Sequence, residues 1–187
     1  MIPFAASASR YSDWLRILLS GNAEQSFPSI GGKEQARVMI DGGIMLGVPV
    51  TGGGSRLKRN CGEEVMISDH GRWPDVHLGA IKAIYGKTPY FPYLFPELER
   101  IYKEYGGGSL EKFNLAIHNL ILRWLGLADE SFLTELRQLS SEKKDIILRL
   151  ARENSRDIDM NHSILGLLFR LGKESVFTLY SEALMRA

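Results

Sequence analysis

Arg37-Val-Met-Ile40 and Ile44-Met-Leu-Gly-Val-Pro-Val50 flank Asp41-Gly42-Gly43. Two short β-branched or apolar runs separated by an aspartate and two glycines read as a hairpin, since glycine supplies the positive φ that a tight connection needs. Around this hairpin the chain is rich in turn formers. All 7 prolines lie at or before Pro96, and of 19 glycines only Gly126, Gly166 and Gly172 follow Gly108. Proline and glycine disfavour helix interiors. Residues 1 to about 72 therefore read as strands and loops, and residues 73–187 as helical. The expectation is one α+β domain over 1–187: a small N-terminal sheet with a hairpin, then a mostly helical C-terminal half.

Outward from the hairpin, Ile2 to Ala6 reads as a short strand and Ser9 to Leu19 as a helix with Trp14, Leu15, Leu18 and Leu19 at helical spacing. Val65-Met-Ile67 reads as a third strand. Helices are predicted at 75–85, 97–105, 110–125, 130–139, 142–152 and 174–185. Pro74 and Pro96 stand where a first helical residue loses nothing by lacking an N–H. Gly106-Gly-Gly108 and Gly126 serve as stops. Within 142–152, Ile146, Ile147 and Leu150 form one apolar stripe, the mark of a helix lying on a core.

The whole chain of 187 residues is 44% hydrophobic and 24% charged, the composition of an ordinary globular protein. Its 23 basic and 22 acidic residues leave +1, which gives no support to nucleic-acid binding. No run of about 18 apolar residues is present, so no membrane span is expected. The start, Met1 to Ser9, lacks a signal peptide's cationic and apolar regions. A lone Cys61 excludes an internal disulfide framework and suits a reducing compartment. These features read as a cytoplasmic protein.

Ile67-Ser68-Asp69-His70-Gly71-Arg72-Trp73 leads into His77, Tyr85, Pro89-Tyr90-Phe91 and Tyr93. This stretch, with Val48-Pro49-Val50 and the closing Ser163-Ile-Leu-Gly-Leu-Leu-Phe169 and Gly172, resembles the WbqC-like protein family. The likeness runs from about residue 36 to 175 and is densest over 65–93 and 161–172. Three departures stand out. Ala5 to Arg10 replaces a proline- and tyrosine-rich opening, Ala36-Arg37 replaces an asparagine-arginine pair, and Gly166 stands where the resemblance implies an acid. The resemblance implies a place in surface-polysaccharide (O-antigen type) biosynthesis, with aminoacyl (glycine) or other acyl transfer to a sugar as the reaction.

On chemistry, His77 falls one turn into a helix, where the positive dipole end disfavours the imidazolium and leaves a neutral base. Asp69, too far round from His70 to serve its own neighbour, would orient His77. Asp69, His70 and His77 are thus the candidate catalytic residues. Their spacing matches no zinc signature, which argues against a metal. Gly52 to Arg59 leaves a strand and turns basic. Its backbone N–H groups with Arg56 and Lys58 could hold a phosphate, so a phosphorylated or nucleotide-linked sugar is the expected small-molecule substrate. The loop lacks a GxGxxG order or a lysine-serine ending, and a plain solvated connection remains open for it. Arg37, Trp73 and Tyr85 complete the expected substrate contacts. Tyr90, Phe91, Tyr93 and Phe95, among prolines, could stack a sugar or base, but such a cluster reads more readily as a rigid loop packed onto the core. His118 and His162, on helical segments with apolar neighbours, read as structural, and Cys61 has no nucleophile signature. No cofactor signature and no mark of oligomeric state is present. Two readings stand side by side: a transferase, and a noncatalytic binding or assembly protein derived from one.

Overall fold

A computed structural model describes residues 36–52, 65–127 and 162–186, with a few isolated positions between 138 and 146. The segments expected at 1–19 and 130–139, and Arg56, Lys58 and Cys61, lie outside the described residues. Of 142–152, Glu142, Lys143 and Ile146 are described, all helical. Ile146, expected on a buried stripe, is 53% exposed.

Strands β1 (Arg37–Ile40) and β2 (Ile44–Gly47) pair antiparallel, with Arg37 opposite Gly47 and Ile40 opposite Ile44. Val38, Ile40, Leu46 and Val48 alternate inward, and this period of two fixes which face the core receives. The turn is a single 3₁₀ turn over Asp41–Gly43, with φ of 77° at Gly42 and 71° at Gly43. Both values lie in the left-handed region where a Cβ is strained, so the two glycines are what the connection requires. Val65–Ile67 does not form the expected strand. Met66 and Ile67 make only isolated bridges, to Ser109 and Val50.

Among the described residues, the helices with defined bounds that follow are α1 (Trp73–Tyr85), α2 (Phe91–Tyr105), α3 (Leu110–Leu125), α4 (Leu165–Leu171) and α5 (Ser175–Arg186). In α1, Trp73, His77, Ile81 and Tyr85 recur every four residues and are all buried. Helix α3 ends at Gly126, whose φ of 71° closes it, while the next N–H, of Leu127, reaches back to the Leu122 carbonyl at 2.9 Å. Helix α2 starts six residues before its expected position. The stretch read as an aromatic loop is its first turn and a half: Phe91 stacks on Phe95 at 4.5 Å and meets Phe169 at 5.2 Å. Pro96 inside the helix deprives the Pro92 carbonyl of a partner, at a cost of roughly 3 kcal/mol. Burial of Phe91 against Phe169 is the tertiary contact that offsets it.

The hydrophobic core joins the hairpin to every helix from α1 to α5. The hairpin lies along α1: a Cβ on Gly42 would meet Ile84 Cδ1 at 3.3 Å, and the Gly47 backbone hydrogen-bonds His77. The two ends of the hairpin therefore address the two ends of one buried helical stripe. The chain returns to it once more, because Ser163 N–H donates to the Met39 carbonyl at 2.7 Å and His162 bridges Met39 in parallel.

Candidate functional site

The residues singled out in the sequence separate into two clusters, one at each end of α1. At the N-terminal end, His77 is 4% exposed. Its Nδ1 lies 3.3 Å from the Tyr102 hydroxyl, and its ring packs edge-on against Trp73 at 5.0 Å and Tyr102 at 5.9 Å. Burial lowers its pKa to about 4, against a backbone hydrogen bond at Gly47 that raises it. The imidazole is thus neutral at pH 7 because it is desolvated. Trp73 is buried in the same cluster, edge-on to Phe113 at 5.7 Å.

Asp69 and His70 lie on the exposed loop before α1, and no hydrogen bond or ion pair joins Asp69 to His77. The His70 N–H donates to the Ser68 hydroxyl at 3.3 Å, while Ser68 N–H donates to the Pro49 carbonyl. Arg37 is exposed at the start of β1, with its Cγ 3.8 Å from the place a Cβ on Gly47 would take. Arg37 and His77 thus flank Gly47.

At the other end, Tyr85 is 1% exposed and its hydroxyl accepts the Asp41 N–H at 3.0 Å. Burial first, then the Asp41 carboxylate that its O–H meets, raise the Tyr85 pKa far above the usual phenol value; the Asp41 N–H and Arg170 act the other way. That carboxylate gathers a second set of groups. The Arg170 guanidinium is ion-paired with Asp41 Oδ2, and His162 Nδ1 stands 3.5 Å from Asp41 Oδ1. Unlike His77, these groups reach the surface: the side chains of Asp41, His162 and Arg170 are 26%, 22% and 56% exposed.

A carboxylate facing an imidazole at an accessible seam can set a base, and an exposed guanidinium beside it can take an anion. Sequence reasoning found only Tyr85 of the four. In the sequence Asp41 has the signature of a turn former, and His162 that of a structural residue on a helix. His162 instead sits on an extended bridge to β1, because pairing with Met39 wins over local helical pattern. The available signal was the pair of polar residues, His162 and Arg170, bracketing the closing motif. Gly166, where the resemblance implies an acid, has the Asp41 carboxylate against its Cα. His118 is buried as expected, and burial lowers its pKa to about 4.

No described helix is long and apolar enough to cross a membrane. No curated protein and no solved structure matches the chain. The sequence profile of the WbqC-like protein family matches residues 29–173, more than half of the 187, and it takes in the hairpin, α1 to α4 and both polar clusters. The chain belongs to the WbqC-like protein family.

Proposed function

We propose that this protein is a cytoplasmic transferase of surface-polysaccharide biosynthesis that moves an acyl or aminoacyl group onto a hydroxyl of a phosphorylated or nucleotide-linked sugar. Membership of the WbqC-like family is consistent with a polysaccharide-related role. The observation that carries the reaction type is the half-buried His162–Asp41 pair, which solvent reaches. In transfer to a sugar, the hydroxyl oxygen attacks the acyl carbonyl carbon as its proton passes to His162. The bond to the donor's leaving group then breaks, and the imidazolium returns the proton to that group. Arg170 holds an anionic part of the substrate and Tyr85 fixes the hairpin turn against α1.

The acid–base role goes to His162 rather than His77, because a ring 4% exposed offers a sugar hydroxyl no approach. In this reading Trp73 and His77 anchor α1 to β2, and Arg37, Asp69 and His70 form the exposed approach at the other end of the helix. Arg56 and Lys58 supply phosphate contacts.

The burial of His77 and Tyr85, each held by a neighbouring element, favours the second reading, a noncatalytic binding protein. One set of assays separates the two. The full chain is offered coenzyme A thioesters and aminoacyl donors with nucleotide-sugar acceptors, as wild type and His162→Gln. We expect His162→Gln to lose at least about 100-fold in transfer rate, the range of a general base. Its melting temperature should stay within a few degrees, because the site is partly exposed. Undiminished transfer by His162→Gln rejects the role given to His162. Nucleotide-sugar binding without transfer by the wild type selects the noncatalytic reading.

A further inference from the structure

We propose that Asp41 is the positioning carboxylate of His162 and that the bare Cα of Gly166 is what admits it to that position. The inference rests on His162 as the base and adds where its acid comes from. A Cβ built on Gly166 would lie 2.7 Å from Asp41 Oδ2 and 3.2 Å from both Cγ and Oδ1. The first is shorter than real contacts of a Cβ, and the other two are tighter than most. The carboxylate therefore occupies the volume that a side chain of residue 166 would itself fill, and it reaches there from the hairpin turn.

The neighbours fit this placement. Arg170 follows Gly166 by four residues in and beside α4, so its side chain lies over the same face and ion-pairs with Asp41. The Tyr85 hydroxyl accepts the Asp41 N–H and meets its carboxylate, which fixes the turn that carries it. His162 is set beside the carboxylate by its bridge to Met39, two residues before Asp41 on the hairpin. Three separate parts of the fold thus converge on one acid.

The consequence for His162 is a choice of tautomer. With Nδ1 3.5 Å from Asp41 Oδ1, the carboxylate favours the neutral tautomer protonated on Nδ1, with its lone pair on Nε2. Nε2 is then the nitrogen that takes the sugar proton. An imidazole without such a partner in water favours the opposite form, with the proton on Nε2. An aspartate at residue 166 itself, with Asp41 truncated, would present its carboxylate in the same volume, beside the same Arg170 and His162.

The test is the ring ¹⁵N spectrum of the full chain with labelled histidine, at about pH 8.5, where ordinary imidazoles are neutral. Wild type should show His162 with Nδ1 protonated. Asp41→Ala should move the two nitrogen shifts toward the opposite form. Gly166→Ala should do the same although it removes no polar group, because its Cβ displaces the carboxylate. The double variant Asp41→Ala/Gly166→Asp should restore the wild-type pattern. A Gly166→Ala spectrum identical to wild type overturns the proposal. So does a folded double variant that keeps the Asp41→Ala pattern; should the double variant melt early, Gly166→Ala decides alone. No substrate is needed, so failure to find transfer would refute the proposed reaction and leave this result standing.

Discussion

Phe169→Ala should lower the unfolding free energy by about 4 kcal/mol, in the middle of the range for aromatic truncations in cores. Phe169 is fully buried, and its ring meets Tyr85 at 5.3 Å, Phe91 at 5.2 Å and Trp124 at 6.3 Å. Those three residues belong to α1, α2 and α3. One ring thus ties α4 to α1, α2 and α3, and its loss leaves a cavity that three elements would have to move together to fill. In addition, the Tyr90 N–H donates to the Phe169 carbonyl at 3.0 Å, so collapse around the cavity disturbs the start of α2. For a chain of this size, the expected fall in melting temperature is roughly 10 °C. Phe177→Ala is the control, because Phe177 is 41% exposed and should cost under about 1 kcal/mol. Urea unfolding of both variants checks the claim. A loss below about 1 kcal/mol at Phe169 would mean that α4 does not depend on this packing.

Acidification supplies the second large effect. His77 and His118 are both buried, and burial lowers each pKa from 6.5 to about 4. Between those values the unfolded chain binds protons at these two positions and the folded chain does not. Stability therefore rises with pH across this window and falls as pH drops from about 6.5 to about 4. Each histidine can account for up to roughly 3 kcal/mol of that fall. Replacing His77 and His118 together by Gln removes the titrating groups and should flatten the stability profile over the window, although stability at pH 7 falls as well through lost packing. Denaturant unfolding at half-unit steps of pH reads the slope. An unchanged slope in the double variant would show that neither ring is held neutral by the fold.

The parts of this fold that were legible in the sequence are those governed by local physics. The hairpin could be read from Val38 and Ile40 against Leu46 with Asp41-Gly42-Gly43 between, because alternation and positive-φ glycines act within ten residues. Helix α3 matched its expected bounds at 110 and 125, since Gly126 ends it by its own conformation. The start of α2 was not legible. Pro92 and Pro96 argue locally for a loop, and the contact that makes Phe91–Phe95 helical comes from Phe169, far along the chain.

The candidate site was less legible than the fold for the same reason. Tyr85 was identified, although its hydroxyl turns out to face the turn residue Asp41. Asp41 carries an ordinary turn signature, and nothing near it in sequence reveals that its carboxylate crosses to Gly166, Arg170 and His162. His77 attracted a catalytic reading because its position on α1 shows a helix start. What the position does not show is the depth at which Trp73 and Tyr102 enclose it.

In the proposed function, chemistry belongs to the seam where the hairpin turn meets the closing segment. This is tested most directly by backbone and side-chain NMR of the full chain during titration with nucleotide-sugars. The largest shift changes should fall at Asp41, Gly42, His162, Gly166 and Arg170, and should be lost in Arg170→Gln. Changes concentrated instead at Asp69, His70 and Arg37, with the seam unmoved, would contradict it.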